Sequence, residues 1–281
     1  MAQKITPVLN ETVLEPPKGW LDLRLREAWD HRELLYFLVW RDIKVRYKQT
    51  VLGATWAIIQ PVMTMVIFSV IFGKLANLPS DGIPYPIFSY TGLLPWQLFS
   101  KALSDASSSL VNNQAHITKI YFPRLFLPAS SILSGLVDFL IALLVLFCMM
   151  WYYQIPLTKN ILLLPFLILF TLIACMAVAM WFSSLNVKYR DVKYVLPYLV
   201  QVWMYATPIA YSSTLIPEQW RSLYGLNPMV GVIEGFRWAL LNREMEMGPL
   251  LTGISILIVF LLFAGGIIYF QRMERTFSDV I

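Results

Sequence analysis

Four long apolar runs, at residues 53–73, 125–151, 161–185 and 250–270, set the first limit on what this chain can fold into. Crossing the hydrocarbon of a bilayer as a helix takes roughly 20 mostly apolar residues, and each run is long enough. Two further segments, 87–110 and 195–211, are weaker candidates. The first holds Ser100, Lys101, Ser104, Asp105 and serines at 107 to 109; the second holds Pro197, Gln201 and Pro208. Polar side chains in hydrocarbon are costly, so both segments are expected to face a bundle interior or a watery passage. They are the expected pathway-lining spans. The predicted fold class is an all-α integral membrane protein with six transmembrane helices.

Composition narrows the classes further. Charged residues make up 14% of the chain, where a soluble domain carries about 25%. The net charge of +5 is spread as cations flanking apolar blocks, without fingers, glycine-rich loops or stacking platforms. That pattern fits loop anchoring at a membrane and argues against a nucleic-acid partner. Cys148 and Cys175 lie inside apolar runs and are read as small hydrophobes rather than disulfide or metal partners. The first fifty residues are polar and charged, with Pro16-Pro17, which predicts no secretory signal peptide.

Loop charges set the orientation. Of the 22 Lys and Arg, nine precede the first span, two lie at 111–124, three at 186–194 and two follow Phe270. The opposite loops hold only Lys74, Lys159, Arg221, Arg237 and Arg243, and Lys101 falls inside a span. The positive-inside rule therefore predicts a multi-pass protein with both ends in the cytoplasm. Residues 1–19 are set apart as a tail, 20–50 as a cytoplasmic interface segment and 51–281 as the six-span domain. In the interface segment, Asp30 and Glu33 resemble a capping box. Leu35, Val39 and Ile43 follow at helical spacing beside Leu34 and Leu38. With Arg41, Lys44, Arg46 and Lys48, this predicts an amphipathic helix in the headgroup layer, its cations near anionic lipid. It serves either as an anchor or in binding a partner or a substrate phosphate.

The last external loop, 212–249, is too long for a connector. Pro217-Glu218 opens one short helix, and Asn227-Pro228 reads as an N-cap with proline at the first helical position. A helix from Pro228 to Asn242 spans about 21 Å, too short to cross, so it is expected to re-enter the outer leaflet and turn back. Glu234 and Arg237, three apart, are expected to pair. This re-entrant pair of helices fits either a cover on a pathway or a brace for the bundle.

Catalytic chemistry is hard to find. His31 and His116 belong to no metal pattern, and neither GxSxG nor a P-loop occurs. Arg190-Asp191 reads as a loop ion pair. The chain is therefore expected to be no enzyme and to bind no ATP. The deep ionisable residues are Lys101, Asp105 and Asp138, few for a proton-coupled carrier. Lys101 and Asp105, one helical turn apart, are expected to neutralise each other. Asp138 is either a buried acid bonded to a serine-rich neighbouring helix or a transport residue. Driving energy is expected from another subunit. Trp96, Phe99, Trp181, Trp203 and Tyr205 sit within spans, where aromatic faces suit either sugar C–H surfaces or helix packing.

Five strings in order, RELLYFLVWRDIKVRYKQTVLGATWAIIQP, TGLLPWQLFS, ITKIYFPRLFLP, LNVKYRDVKYVLPYLVQVWMYATPIAYS and LNPMVGVIEGFRWALL, carry a family resemblance. From about Trp20 onward the sequence resembles the permease subunit of type-two ABC exporters for O-antigen, capsular polysaccharide and teichoic acid. The resemblance implies two permeases working with two cytoplasmic ABC ATPase subunits, ATP and magnesium being held by those partners and no cofactor by this chain. It implies an undecaprenyl-linked glycan, most simply O-antigen, carried across a bacterial inner membrane by a homodimer. By similarity, Arg41, Lys44, Arg46 and Lys48 are candidate lipid-pyrophosphate contacts. Residues 112–123 resemble the cytoplasmic gate that touches the ATPase, with Asn112, His116, Lys119, Tyr121 and Arg124 as candidates. The first and fifth spans would form the dimer contact and lateral opening, and Trp96, Phe99, Trp181, Trp203 and Tyr205 are candidate channel-lining residues. Asn227, Pro228, Glu234 and Arg237 would belong to the periplasmic gate. Rival readings are a small-molecule or drug efflux permease, a membrane enzyme of glycan assembly and a scaffolding subunit. Cysteines placed at 112–123 should trap an ATPase subunit on crosslinking; capture of periplasmic proteins alone would mean an inverted topology.

Overall fold

The computed structural model describes residues 29–48, 53–117, 122–241 and 248–280. Every regular element among them is helical. The 16-residue α1 is Arg32–Tyr47. After a 3₁₀ turn at Gly53–Thr55, α2 runs Trp56–Phe68 and passes into a π-helical stretch, Ser69–Leu75. Then come α3 (Tyr85–Asn112), the short α4 (Gln114–Ile117) and α5 (Phe126–Tyr152). A 3₁₀ stretch, Lys159–Leu163, leads into α6 (Leu164–Lys188), followed by α7 (Val192–Tyr205). The remaining helices are α8 (Glu218–Tyr224), α9 (Pro228–Leu241) and α10 (Gly248–Val280).

Among the described residues, four helices are long and apolar enough to cross a membrane: Trp56–Leu75, Phe126–Tyr152, Lys159–Lys188 and Leu251–Phe277. They coincide with the four strong runs of the sequence. The two weaker candidates part company. At 28 residues α3 is about 42 Å long, and it forms the centre of the bundle, packed against α5, α6 and α9. Ile87, Phe88, Tyr90, Phe99 and Leu103 are almost wholly enclosed there, which is why a helix with so many serines still holds its place. Its serine hydroxyls bond to carbonyls one turn back, as with Ser104 to Ser100 (2.9 Å) and Ser109 to Ala106 (2.7 Å), so they are satisfied without water.

The other weak candidate is not a continuous helix. α7 ends at Tyr205 after 14 residues, about 21 Å, and the chain then runs irregularly past Pro208. Proline removes an N–H and disfavours helix at the residue before it, Thr207, so the 195–211 span stops short. The freed carbonyls are buried and need donors. Arg237 of α9 supplies them: Nη2 donates to the Ile209 carbonyl (3.0 Å) and Nη1 faces that of Tyr211 (3.5 Å). Tyr85 donates to the Ala210 carbonyl, and Asn227 Nδ2 reaches Ala206 O (3.3 Å) and Thr207 Oγ1 (3.0 Å). Gly92 of α3 makes the approach possible, since a Cβ there would lie 3.3 Å from both Arg237 Nη2 and Ile209 Cα.

Both helices expected between residues 212 and 249 form. Asn227 Oδ1 accepts from the Met229 N–H (3.0 Å), capping α9 as its sequence suggested. Glu234 and Arg237 pair at 3.6 Å with side chains 6% and 5% exposed, and Ser213 donates to Glu234 at 2.5 Å. The Arg237 guanidinium also lies 3.8 Å from the Phe88 ring centroid. α9 is thus a buried brace against α3, α6 and α10. Tyr211 and Tyr224 join at 3.0 Å beside it, and burial, then this bond, push the Tyr224 hydroxyl far above the usual phenol range.

Two local expectations fail. The Asp30–Glu33 capping box does not form: His31 is the N-cap and offers no side-chain cap, because Trp29 and Asp30 already lie in a helical turn. Arg190 and Asp191 are both exposed and do not pair, consistent with the weak pull of solvated charges. Replacing Arg237 by Met strands Glu234 and the carbonyls of the α7 break. The expected loss is about 3–5 kcal/mol, read as a lower thermal midpoint in detergent. Adding Glu234→Leu should recover part of it, and a single variant as stable as the parent would contradict this role.

Candidate functional site

α1 has three faces rather than two. Leu34, Leu38, Asp42 and Arg46 turn toward the bundle, where Leu38 packs among Leu110, Phe126, Leu127 and Phe277. Arg32, Leu35, Val39 and Ile43 line a groove against α5. Phe37, Trp40, Lys44 and Val45 are exposed. The expectation of one apolar and one cationic face is therefore corrected: apolar residues occupy all three sides, and one cation points inward.

That cation is Arg46, and it organises a charge cluster at the junction of α1, α3 and α5. Nη1 donates to Asp138 Oδ2 (2.9 Å) and the Ser134 carbonyl (3.2 Å). Nη2 donates to Asp105 Oδ2 (3.0 Å) and Ser134 Oγ (3.3 Å). A planar guanidinium with fixed donors suits such a two-carboxylate bridge, and an ammonium would not span it. Lys101 Nζ also reaches Asp138 Oδ2 (2.6 Å), and the Tyr47 hydroxyl donates to Asp138 Oδ1. Burial, then that bond to a carboxylate, raises the Tyr47 phenol well above its usual range, so it stays a donor. Beside the cluster, Arg41 pairs with its neighbour Asp42 (2.9 Å), which accepts from Ser130 Oγ (3.0 Å).

One sequence reading changes here. Lys101 does not neutralise Asp105; it goes to Asp138, while Asp105 is taken by Arg46. Asp138 does bond to the serine-rich neighbouring helix, α3, through Lys101 rather than a serine, and α1 adds Arg46 and Tyr47. Sequence separations of 37 and 92 residues hid these partners. The cluster grades from enclosed to open: Arg46 and Asp138 are 20% and 14% exposed, Asp105 and Lys101 43% and 47%. Its open end continues a polar stripe on α3 at helical spacing, Gln97, Ser104, Asp105 and Ser108 part-exposed and Lys101 and Asn112 exposed. The arrangement can hold α1 to the bundle while offering hydroxyl, amide and charged groups to a polar cargo.

The remaining candidates scatter. Lys44 and Lys48 are exposed at the outer side and end of α1. Asn112 is exposed at the end of α3, and Arg124 donates to the Glu274 carbonyl and lies 5.9 Å from the Phe277 ring. Lys119, Tyr121 and the His116 side chain fall outside the described residues. Trp96 and Phe99 are buried and form an edge-to-face cluster with Trp203, at 6.3 and 5.1 Å. The Trp203 indole donates to Asn227 Oδ1 (2.9 Å), tying α7 to α9. Trp181 stacks on Tyr269 at 4.9 Å and donates to the Leu262 carbonyl (3.0 Å), fastening α6 to α10. Of the five aromatics, Tyr205 alone stands exposed in this chain.

The sequence profile described as ABC-2 type transporter matches residues 33–241, from α1 through α9, and so encloses both the Arg46 cluster and the α7 break. The chain belongs to the ABC-2 type transporter family. Over 256 residues it is 31% identical to the O-antigen export system permease protein RfbA of Myxococcus xanthus, covering 89% of this chain and 96% of that protein. An RfbA from Klebsiella pneumoniae is 28% identical over 89% of this chain and 95% of its own. The polysialic acid transport protein KpsM of Escherichia coli is 26% identical, over 85% and 93%. This chain is therefore a transport permease of that family, placed in a membrane by its apolar helices.

The charge cluster predicts a non-additive double-mutant cycle. Asp138→Ala leaves Arg46 and Lys101 short of a partner, so α1 should loosen and trypsin should cut faster at the exposed Lys44 and Lys48. Arg46→Ala with Asp138→Ala should show a coupling of roughly 0.5–3 kcal/mol in thermal unfolding. Simple additivity would mean that the pair does not fasten α1.

Proposed function

We propose that this chain is the permease subunit of an ATP-driven exporter that moves a polyprenyl-linked polysaccharide, O-antigen in the first instance, across a bacterial inner membrane. The observation that carries the reading is near full-length similarity to two groups of proteins named for glycan traffic, O-antigen export and polysialic acid transport. Two copies act with two cytoplasmic ATPase subunits, which bind ATP and magnesium. α3 and the broken α7 complete a six-span topology with both termini in the cytoplasm, and α8 and α9 form the re-entrant outer gate.

Physical chemistry supports a passage between copies rather than within one. α2 exposes Met63, Val66 and Ile67, the π-helical stretch after it exposes Val70, and α7 exposes Tyr194, Val195, Tyr198 and Tyr205. Exposed apolar faces on the first and fifth spans suit a second copy and a lateral opening for lipid. The polar stripe of α3 would be costly against lipid and suits a wet conduit. Its serines and Gln97 fit sugar hydroxyls, and the α7 tyrosines fit sugar C–H faces. Trp96, Phe99, Trp181 and Trp203 hold helices together and leave the lining to these other groups.

The phosphate-facing cations are best sought at Lys44 and Lys48, with Arg41 beside them. Arg46 joins only by giving up a carboxylate. Deleting the gene should abolish surface polysaccharide and leave lipid-linked polymer in the cytoplasm. Lys44→Ala with Lys48→Ala, inserted at normal levels, should lower the surface polymer several-fold. Unchanged surface polymer in the deletion strain would refute the reading; unchanged export in the double variant would refute only the phosphate contact.

A further inference from the structure

The groove between α1 and α5 is unused by the charge cluster and by the proposed conduit. It has a volume of about 400 Å³ and opens widely to the outside. Leu35, Val39 and Ile43 line it from α1, and Leu136, Val137 and Leu140 from α5. α1 and α5 meet where Asp42 faces Ser130 and Arg46 faces Asp138. Another side of α1 borders the groove, which lies alongside α5, a helix long and apolar enough to cross a membrane. Arg32 is the charged residue of the lining. Its guanidinium is exposed and donates to the Trp29 carbonyl (3.1 Å), with no ion pair to a carboxylate among the described residues.

We propose that this groove is a lipid site that takes one acyl chain of an anionic phospholipid, its phosphate resting against Arg32. The charge complementarity is specific in sign: the groove is apolar along its length and cationic at the first residue of α1. It lies on the side where most of the chain's Lys and Arg are concentrated, the side expected to meet the anionic leaflet. A phospholipid chain suits the volume better than a polyprenyl carrier, which is several times longer. Tyr36, also in the lining and largely exposed, can bridge the apolar groove and the headgroup layer as interfacial aromatics do. The bound lipid would wedge α1 away from α5 on one side while the Arg46 cluster holds it on the other. The inference rests on the membrane placement of α5, not on the cargo.

The test uses the full-length protein in nanodiscs of phosphatidylglycerol and phosphatidylcholine in equal amounts, one or the other carrying a diazirine on its acyl chain. After photolysis, label from phosphatidylglycerol should concentrate on peptides covering residues 35–43 and 133–140. It should exceed label from phosphatidylcholine by about fivefold, the preference one cation near an anionic surface provides. Arg32→Gln, an exposed change that leaves the fold intact, should bring that ratio close to one. Val137→Trp should remove label from both peptides while α10 peptides are labelled as before. Equal labelling by the two lipids in the native protein would overturn the proposal, as would label absent from these peptides. Displacement by a polyprenyl phosphate but not by excess phosphatidylglycerol would also overturn it, assigning the groove to the carrier instead.

Discussion

One guanidinium, Arg46, decides how the N-terminal helix meets the membrane bundle. It stands between Asp105 and Asp138 at 3.0 and 2.9 Å, and its partners come from two other helices. Taking a charge out of water is costly unless paired, so none of the three can leave without stranding the others. Lys101 and Tyr47 complete the coordination of Asp138. The result is a junction with balanced charge that pins α1 against α3 and α5. Everything on α1, from the exposed Lys44 to the apolar groove, takes its position from that junction.

A second arginine does the equivalent task at the other end of the bundle. Proline at 208 stops α7 from continuing, and such a break in an enclosed segment is tolerated only where the freed backbone finds donors. Arg237 is the donor, to the carbonyls of Ile209 and Tyr211, and Glu234 balances its charge. The short, open-faced α7 and the buried α9 are therefore one construction. Under the proposed function, the irregular segment and the exposed tyrosines beside it offer a glycan polar groups that a continuous apolar helix would lack.

Much of this was legible in the sequence. Run length alone located the four apolar spans, and Asn227-Pro228 located α9 and its cap, because both signals are local. Serines and charges in the 87–110 segment pointed inward, and α3 does sit at the centre. The charge cluster was not legible. Lys101 and Asp105 share a helix and suggested a pair by spacing, but Lys101 is held by Asp138 on another helix. The aromatics could not be sorted from sequence: an indole in a span packs as readily as it lines a passage, and the cluster of Trp96, Phe99 and Trp203 forms only through tertiary neighbours. The groove at α1 also escaped, since a groove between two helices leaves no periodic mark in either.

Under the proposed function, this bundle moves a polar polymer with energy drawn from a separate nucleotide-hydrolysing subunit. The most direct measurement places the purified permease and its ATPase together in sealed vesicles loaded with a fluorescent lipid-linked glycan. The account predicts glycan accessibility on the far side that depends on ATP and on both subunits. Transfer by the permease alone, or transfer driven by an ion gradient without nucleotide, would contradict it.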